Sequence, residues 1–366
     1  MTDHKIVSAD DHMDLHVLPP DLFERRLPRE WRERAPRVET NDRGMFWTVD
    51  GKVMGSAGPQ KGMGIVWAFE KAGFEDDGER PADPVRRLQD MDLDGVHAQV
   101  IYGSPGGLPI ADLELKDACT RAYNDWALEF NSADPERLCL LAYLPTHSPE
   151  AAATEAERVA RNGHRGAVIG VFESGVPVYD AAWEPLWAIA GEAGLPLSFH
   201  FGGGTNLVHA RPNSWMMAAY VSALPLQLDE CMAAMIFCGA LERHPGLRLV
   251  VAECGIGWLP YFLWRMDLMF DTYNHQTRDY ALKSKPSEIF ANQVYVTFQE
   301  DPVGVPLIGQ IGADNVMWAS DYPHPNSTFP DSKREVENLI AACGPETARK
   351  LTRDNAARLY GLSAAL

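Results

Sequence analysis

Eight short apolar runs of β-type residues recur along this chain, and segments long enough for a helix separate most of them. The runs are Lys5 to Asp10, His97 to Tyr102, Leu138 to Leu144, Gly166 to Val171, Leu197 to Phe201, Leu247 to Glu253, Gln293 to Gln299 and Asn315 to Ser320. Their near-continuous apolar character is that of parallel strands covered on both faces. Helical patterning in Ala151 to Arg161 and Glu184 to Ala193 fills two of the connections. Strand-then-helix units in this number predict an α/β fold, a closed (β/α)8 TIM barrel, in preference to an open doubly wound sheet. No GxGxxG follows the first run, so a dinucleotide-binding sheet loses its main support. Gly202-Gly203-Gly204 lacks the spacing and the lysine of a phosphate loop, and reads as a place of close backbone approach.

A chain of 366 residues is long for one domain unless it is a large barrel, and no linker, repeat or low-complexity tract divides it. We therefore read residues 1–366 as a single barrel domain. Its irregular part is the stretch 17–86, where Met45 to Val49 and Lys52 to Met54 flank Asp50-Gly51, a strong hairpin signal. This predicts an inserted flap after the first strand, on the face where barrel loops carry function.

A formal charge of -18 excludes nucleic-acid binding through a basic surface, because phosphate contact needs clustered Lys and Arg. An anionic substrate would then need local positive charge, such as a metal. The six cysteines are scattered, without a CxxC pair, which suits reduced thiols better than disulfides or a zinc knuckle. The opening MTDHKIVSADDH lacks a basic stretch followed by an apolar one, and no apolar run approaches the ~20 residues that span a bilayer. The expectation is a cytoplasmic protein with no membrane partner, and a homo-oligomer stays open.

Asp10 and His12 end the first run one residue apart, so alternation along a strand places them on the same side, with Asp11 on the other. Asp14-Leu15-His16 repeats the spacing but lies beyond the strand. His200 interrupts the otherwise apolar fifth run near its end, and Asp321 follows the eighth. Carboxyl ends of barrel strands converge over one mouth. Two carboxylates and two imidazoles brought together there form a plausible set of metal ligands, whereas each residue alone would read as a satisfied polar group. Such a mixed set suits one divalent ion, Zn²⁺ or Mn²⁺ foremost.

At these motifs the chain resembles the amidohydrolase superfamily, in the amidohydrolase-related branch that includes aminocarboxymuconate-semialdehyde decarboxylase and γ-resorcylate decarboxylase. The carriers are Ser8-Ala9-Asp10-Asp11-His12, Met91-Asp92-Leu93-Asp94-Gly95-Val96, Phe199-His200, Ala252-Glu253-Cys254-Gly255-Ile256-Gly257-Trp258-Leu259-Pro260 and Ser320-Asp321-Tyr322-Pro323-His324-Pro325. The closing Asp354-Asn355-Ala356-Ala357-Arg358-Leu359-Tyr360-Gly361 is similar to that family's last helix. The resemblance implies a mononuclear site held by Asp10, His12, His200 and Asp321. Asp10 stands where many relatives have His or Glu, and the fourth run has no lysine to bridge a second metal. Glu253 stands where many relatives carry a catalytic histidine, which leaves it as general base, proton donor, anchor of a ligand or salt-bridged carboxylate. His324 is a candidate for the missing imidazole, and Glu300 and Asp301 are weaker candidates for supporting roles.

Two reactions use such a site. In the favoured one, a small organic acid, aromatic or unsaturated, loses CO2, and Asp321 or Glu253 carries the proton to carbon. In the other, metal-activated water cleaves a lactone, amide or C–C bond, with Asp321 taking the proton. A barrel that only binds is the non-catalytic alternative. Substrate choice is expected to lie with residues around His16, Trp47, Tyr102 and Trp215.

Overall fold

The computed structural model describes residues 5–58, 69–70, 72–74, 78–103, 108–172, 174–200, 208, 211 and 214–362. Phe201, Gly202-Gly203-Gly204 and parts of the 17–86 stretch lie outside the described residues.

The chain begins with β1 (Ile6–Met13), every residue of which is buried. A three-stranded antiparallel sheet follows, made of β2 (Arg37–Asn41), β3 (Gly44–Val49) and β4 (Lys52–Ser56). The remaining strands are β5 (Val96–Gly103), β6 (Leu138–Leu140), β7 (Ala142–Leu144), β8 (Ala167–Ile169), β9 (Leu197–His200), β10 (Leu249–Ala252), β11 (Val294–Phe298) and β12 (Val316–Trp318). β1, β5 and β6 form one parallel sheet, and β7 to β12 form another in sequence order. Backbone hydrogen bonds join the two into a closed barrel. Leu141 N–H donates to Ile101 O at 2.9 Å across the break between β6 and β7. On the other side, Asp321 N–H donates to Asp10 O (3.1 Å) and His12 N–H to Tyr322 O (2.7 Å). β6 and β7 are thus one barrel strand broken at Leu141, and the eight expected runs all stand in the barrel.

Helices connect the strands because their ends are specified locally. Asp83, Asp112 and Ser148 cap the helices Pro84–Asp94, Leu113–Asn131 and Pro149–Arg161, each accepting from backbone N–H groups of the first turn. Gly95 (φ 77°) and Gly194 (φ 63°) end helices in the left-handed conformation that costs glycine little, and turn the chain into β5 and β9. Among the described residues, no helix is long and apolar enough to cross a membrane. All six cysteines are free thiols, and burial pushes the Cys119 thiol up to about 12.

The hairpin turns at Asp50 (φ 46°) and Gly51 (φ 73°), the two positive dihedrals that a tight turn of this hand requires. β2 escapes sequence reading because Arg37-Val38-Glu39-Thr40-Asn41 is polar and mostly exposed, as befits a charged edge strand. The small sheet is fastened to the segment that leaves β1. Gly58 N–H donates to His16 O (2.8 Å), and buried Trp47 packs edge-on against Phe23, with ring centres 5.5 Å apart. The Arg34 guanidinium spans Asp50 (2.7 Å) and Asp112 (2.8 Å). Trp47 is therefore core of this sheet.

Candidate metal centre

The barrel strands deliver their carboxyl ends to one point. β1 carries Asp10 and His12, β9 ends on His200, Glu253 follows β10 directly, and Asp321 lies three residues past β12. The β1 register shifts between Ser8 and Asp11, a bulge that re-aims side chains beside the site. Asp10, His12, His200 and Asp321 are at most 2% exposed.

The four residues expected to hold a metal do come together, and Glu253 joins them. His12 Nε2 lies 3.0 Å from Asp321 Oδ1, 3.5 Å from Glu253 Oε2 and 3.6 Å from Asp10 Oδ1. His200 Nε2 lies 3.1 Å from Glu253 Oε2 and 3.6 Å from Asp10 Oδ1. The imidazoles of His12 and His200 meet edge to face, 5.1 Å between centres. Asp10 Oδ1, His12 Nε2, Glu253 Oε2 and Asp321 Oδ1 are buried and make no properly angled hydrogen bond among the described residues. Buried polar atoms are normally paired. Two overlapping groups of donor atoms share His12, one with Asp10 and His200 and the other with Glu253, Asp321 and His324, and in each the atoms lie within 4.8 Å of one another, as a divalent first-row cation requires.

The electrostatics agree. Burial works against a charged His12, and so does His324, yet Asp321 and Glu253 outweigh both and hold its pKa at about 9. For His200, burial is likewise overcome by Asp10 and Glu253, and its pKa lies well above the ordinary value. Burial would raise Glu253, but His12 and His200 draw it well below the usual carboxylate range. The carboxylates thus demand positive charge, which protons or a cation can supply.

Two of these residues have left-handed backbones that side chains other than glycine rarely adopt: Glu253 (φ 53°) and Asp321 (φ 63°). Each is held by a buried group of a neighbouring strand. Thr297 Oγ1 accepts from Glu253 N–H at 2.6 Å. Asp11 Oδ1 accepts from Tyr322 N–H (2.9 Å) and from the hydroxyl of Ser320 (2.7 Å), gripping both neighbours of Asp321. Asp11 therefore faces away from the cluster, as alternation requires. Burial pushes its carboxyl up to about 6, against the pull of Arg87.

His324 lies beside the site, stacked on His12 with ring centres 3.9 Å apart. Its Nδ1 is 2.8 Å from Asp321 Oδ1 and its Nε2 is 3.1 Å from Asp14 Oδ2. Asp301 instead serves the loop after β10: Oδ2 accepts from Ile256 N–H and Gly257 N–H, both at 2.7 Å. Tyr102 is no loop residue either. It is fully buried on β5, its hydroxyl 3.1 Å from Ser198 Oγ and its ring 5.3 Å from that of His200. Trp215, by contrast, is 74% exposed at the start of the helix Trp215–Ala223.

Sequence reasoning missed three contributors. Thr297 interrupts the apolar run Val294-Tyr295-Val296-Thr297-Phe298, the same signal that singled out His200. Asp14 was visible only as a rival ligand. Arg87, fully buried and donating to His12 O at 2.9 Å, left no mark in its charged helix.

A closed barrel with metal-suited side chains at its strand ends defines a class of enzyme, and residues 13–362 match the family model described as Amidohydrolase. The chain belongs to that family. A gamma-resorcylate decarboxylase from Rhodococcus jostii is 27% identical over 299 residues, 75% of this chain and 87% of that protein. The crystal structure of an amidohydrolase from Mycobacterium avium subsp. paratuberculosis superposes with a TM-score of 0.76 at 20% identity, covering 99% of this chain and 100% of that one. A dihydroxybenzoic acid decarboxylase from Polaromonas sp., holding manganese and the inhibitor 2-nitroresorcinol, superposes at 0.64 with 19% identity, covering 98% and 97%.

Proposed function

We propose that this chain is a non-oxidative decarboxylase of an aromatic or unsaturated carboxylic acid, dependent on one divalent cation held by Asp10, His12, His200 and Asp321. The observation that carries the reading is the convergence of two groups of donor atoms on His12, one with Asp10 and His200 and the other with Glu253, Asp321 and His324, each within 4.8 Å. The gamma-resorcylate decarboxylase relative supports the choice of reaction, and the manganese of the Polaromonas structure supports the choice of ion. When bound, the cation supplies positive charge that anchors substrate oxygens and stabilises negative charge during reaction.

The chain's own residues supply the proton. Asp321 touches His324, and His324 reaches Asp14, so three groups run outward from the site through contacts of 2.8 and 3.1 Å. Among the described residues, the ion pairs of the inner Glu253 oxygen are with His12 and His200. Asp321 is thus the better proton carrier and Glu253 balances charge at the imidazoles. Asp321 delivers the proton to the substrate carbon that bears the carboxylate. The C–C bond then breaks, its electron pair stays with the ring or double bond, and CO2 leaves. Solvent returns a proton to Asp321 through His324.

Incubation with hydroxybenzoates and unsaturated dicarboxylates in deuterated water tests this. Release of CO2 with deuterium at the vacated carbon is expected. Cleavage of lactones or amides instead, with solvent ¹⁸O entering the new carboxylate and no CO2, overturns the reaction in favour of hydrolysis.

A further inference from the structure

We infer that Thr297 is a positioning residue whose single hydroxyl sets both Asp10 and Glu253 for the cation. The inference rests on the metal reading above. Thr297 lies on β11, two strands round the barrel from β1, and is completely buried. Its Oγ1–H donates to Asp10 Oδ2 at 2.6 Å, and the same oxygen accepts from Glu253 N–H at 2.6 Å. One hydroxyl has one proton and two lone pairs, so both bonds are compatible and together fix its orientation.

The consequences differ at the two ends. At Asp10, occupying Oδ2 leaves Oδ1 as the lone-pair atom turned toward His12 and His200, at 3.6 Å from each imidazole nitrogen. The carboxylate is thereby committed to offering one oxygen. At Glu253, the bond holds a backbone at φ 53°, where a non-glycine residue is strained and persists only under outside restraint. Without it, the chain can relax and carry Oε2 away from His12 and His200. Groups that orient metal ligands typically affect affinity 10- to 100-fold. Thr297 acts on two members of the cluster at once, so the upper part of that range applies.

The test is Mn²⁺ binding to metal-free protein, read from the electron paramagnetic resonance signal of the free ion, alongside thermal melting of the metal-free form. Thr297→Val removes the hydroxyl at nearly constant volume and is expected to weaken Mn²⁺ about 30- to 100-fold. Thr297→Ser keeps the hydroxyl and is expected to stay within about threefold of wild type. Thr297→Ala provides a second hydroxyl-free variant should the valine fail to fold, with the same loss expected. Folded hydroxyl-free variants that bind Mn²⁺ as wild type does overturn the role of Thr297, as does a serine variant no better than the valine. Failure of wild type itself to bind Mn²⁺, Zn²⁺ or any first-row divalent ion overturns the metal reading, and this inference with it.

Discussion

Asp301→Ala removes the carboxylate that organises the loop after β10. Four backbone N–H groups depend on it: Ile256 and Gly257 at 2.7 Å through Oδ2, and Gly304 (2.6 Å) and Val303 (3.1 Å) through Oδ1. The inner pair matters most, because Ile256 is fully buried and water cannot take the place of the carboxylate there. Hydrogen bonds to a charged group contribute about 1.5–3 kcal/mol each, so the inner pair is worth roughly 3 kcal/mol at the low end. In the outer pair Val303 is exposed and its N–H rehydrates, whereas Gly304 is buried and loses its partner, adding roughly 1 kcal/mol. The expected cost is about 4 kcal/mol. With a urea dependence of about 3 kcal/mol per molar, the unfolding midpoint of the metal-free protein falls by roughly 1.3 M. Tryptophan fluorescence during urea titration of both proteins reads this directly. A midpoint within about 0.3 M of wild type refutes the reasoning, since the loop would then be held by something other than Asp301.

Asp321→Asn is expected to lose at least about 100-fold more activity than metal content, because an amide can stay near the cation but cannot carry a proton; turnover that simply follows metal occupancy would leave Asp321 as a ligand alone. His164 provides a pH signature away from the site. Burial lowers its pKa from 6.5 to about 4, and its Nε2 contacts Asn124 O at 3.2 Å. The folded state therefore favours the neutral ring, so this contribution is complete above pH 6.5 and is lost as pH falls toward 4, by up to about 3 kcal/mol. His164→Gln should flatten that part of the stability profile in urea titrations at several pH values, and an unchanged slope would assign the acid sensitivity elsewhere.

The barrel was legible because parallel strands buried on both faces are largely apolar, and the eight runs mostly are. What escaped follows from the same physics. β2 is an exposed edge whose polar residues imitate a loop, and the break at Leu141 lies inside an unbroken apolar run. Ligand candidates could be named because strand ends converge in a barrel, so Asp10, His12, His200 and Asp321 could be expected from position to come together, as they do. Glu253 drew attention as a departure from a family pattern, but its left-handed backbone and its place between two imidazoles required coordinates. Residues that orient the site were nearly invisible. Thr297 is an ordinary strand residue by propensity, Arg87 sits in a charged helix, and Asp14 bonds to a residue 310 positions away. Trp47 and Tyr102 were expected in loops and are instead buried, Tyr102 on β5 beside His200, because aromatic type does not reveal how deep a ring lies.

Metal content of purified protein, measured by plasma mass spectrometry on wild type and His200→Ala side by side, tests the central claim most directly. His200 is 2% exposed, ends β9 and directs Nε2 at the common point shared with Asp10 and Glu253. Wild type should retain about one equivalent of a divalent first-row ion, and the alanine variant should lose most of it while keeping its fold. Equal metal in the two proteins would remove His200 from the site, and a wild type that neither retains nor takes up a divalent ion would contradict the account as a whole.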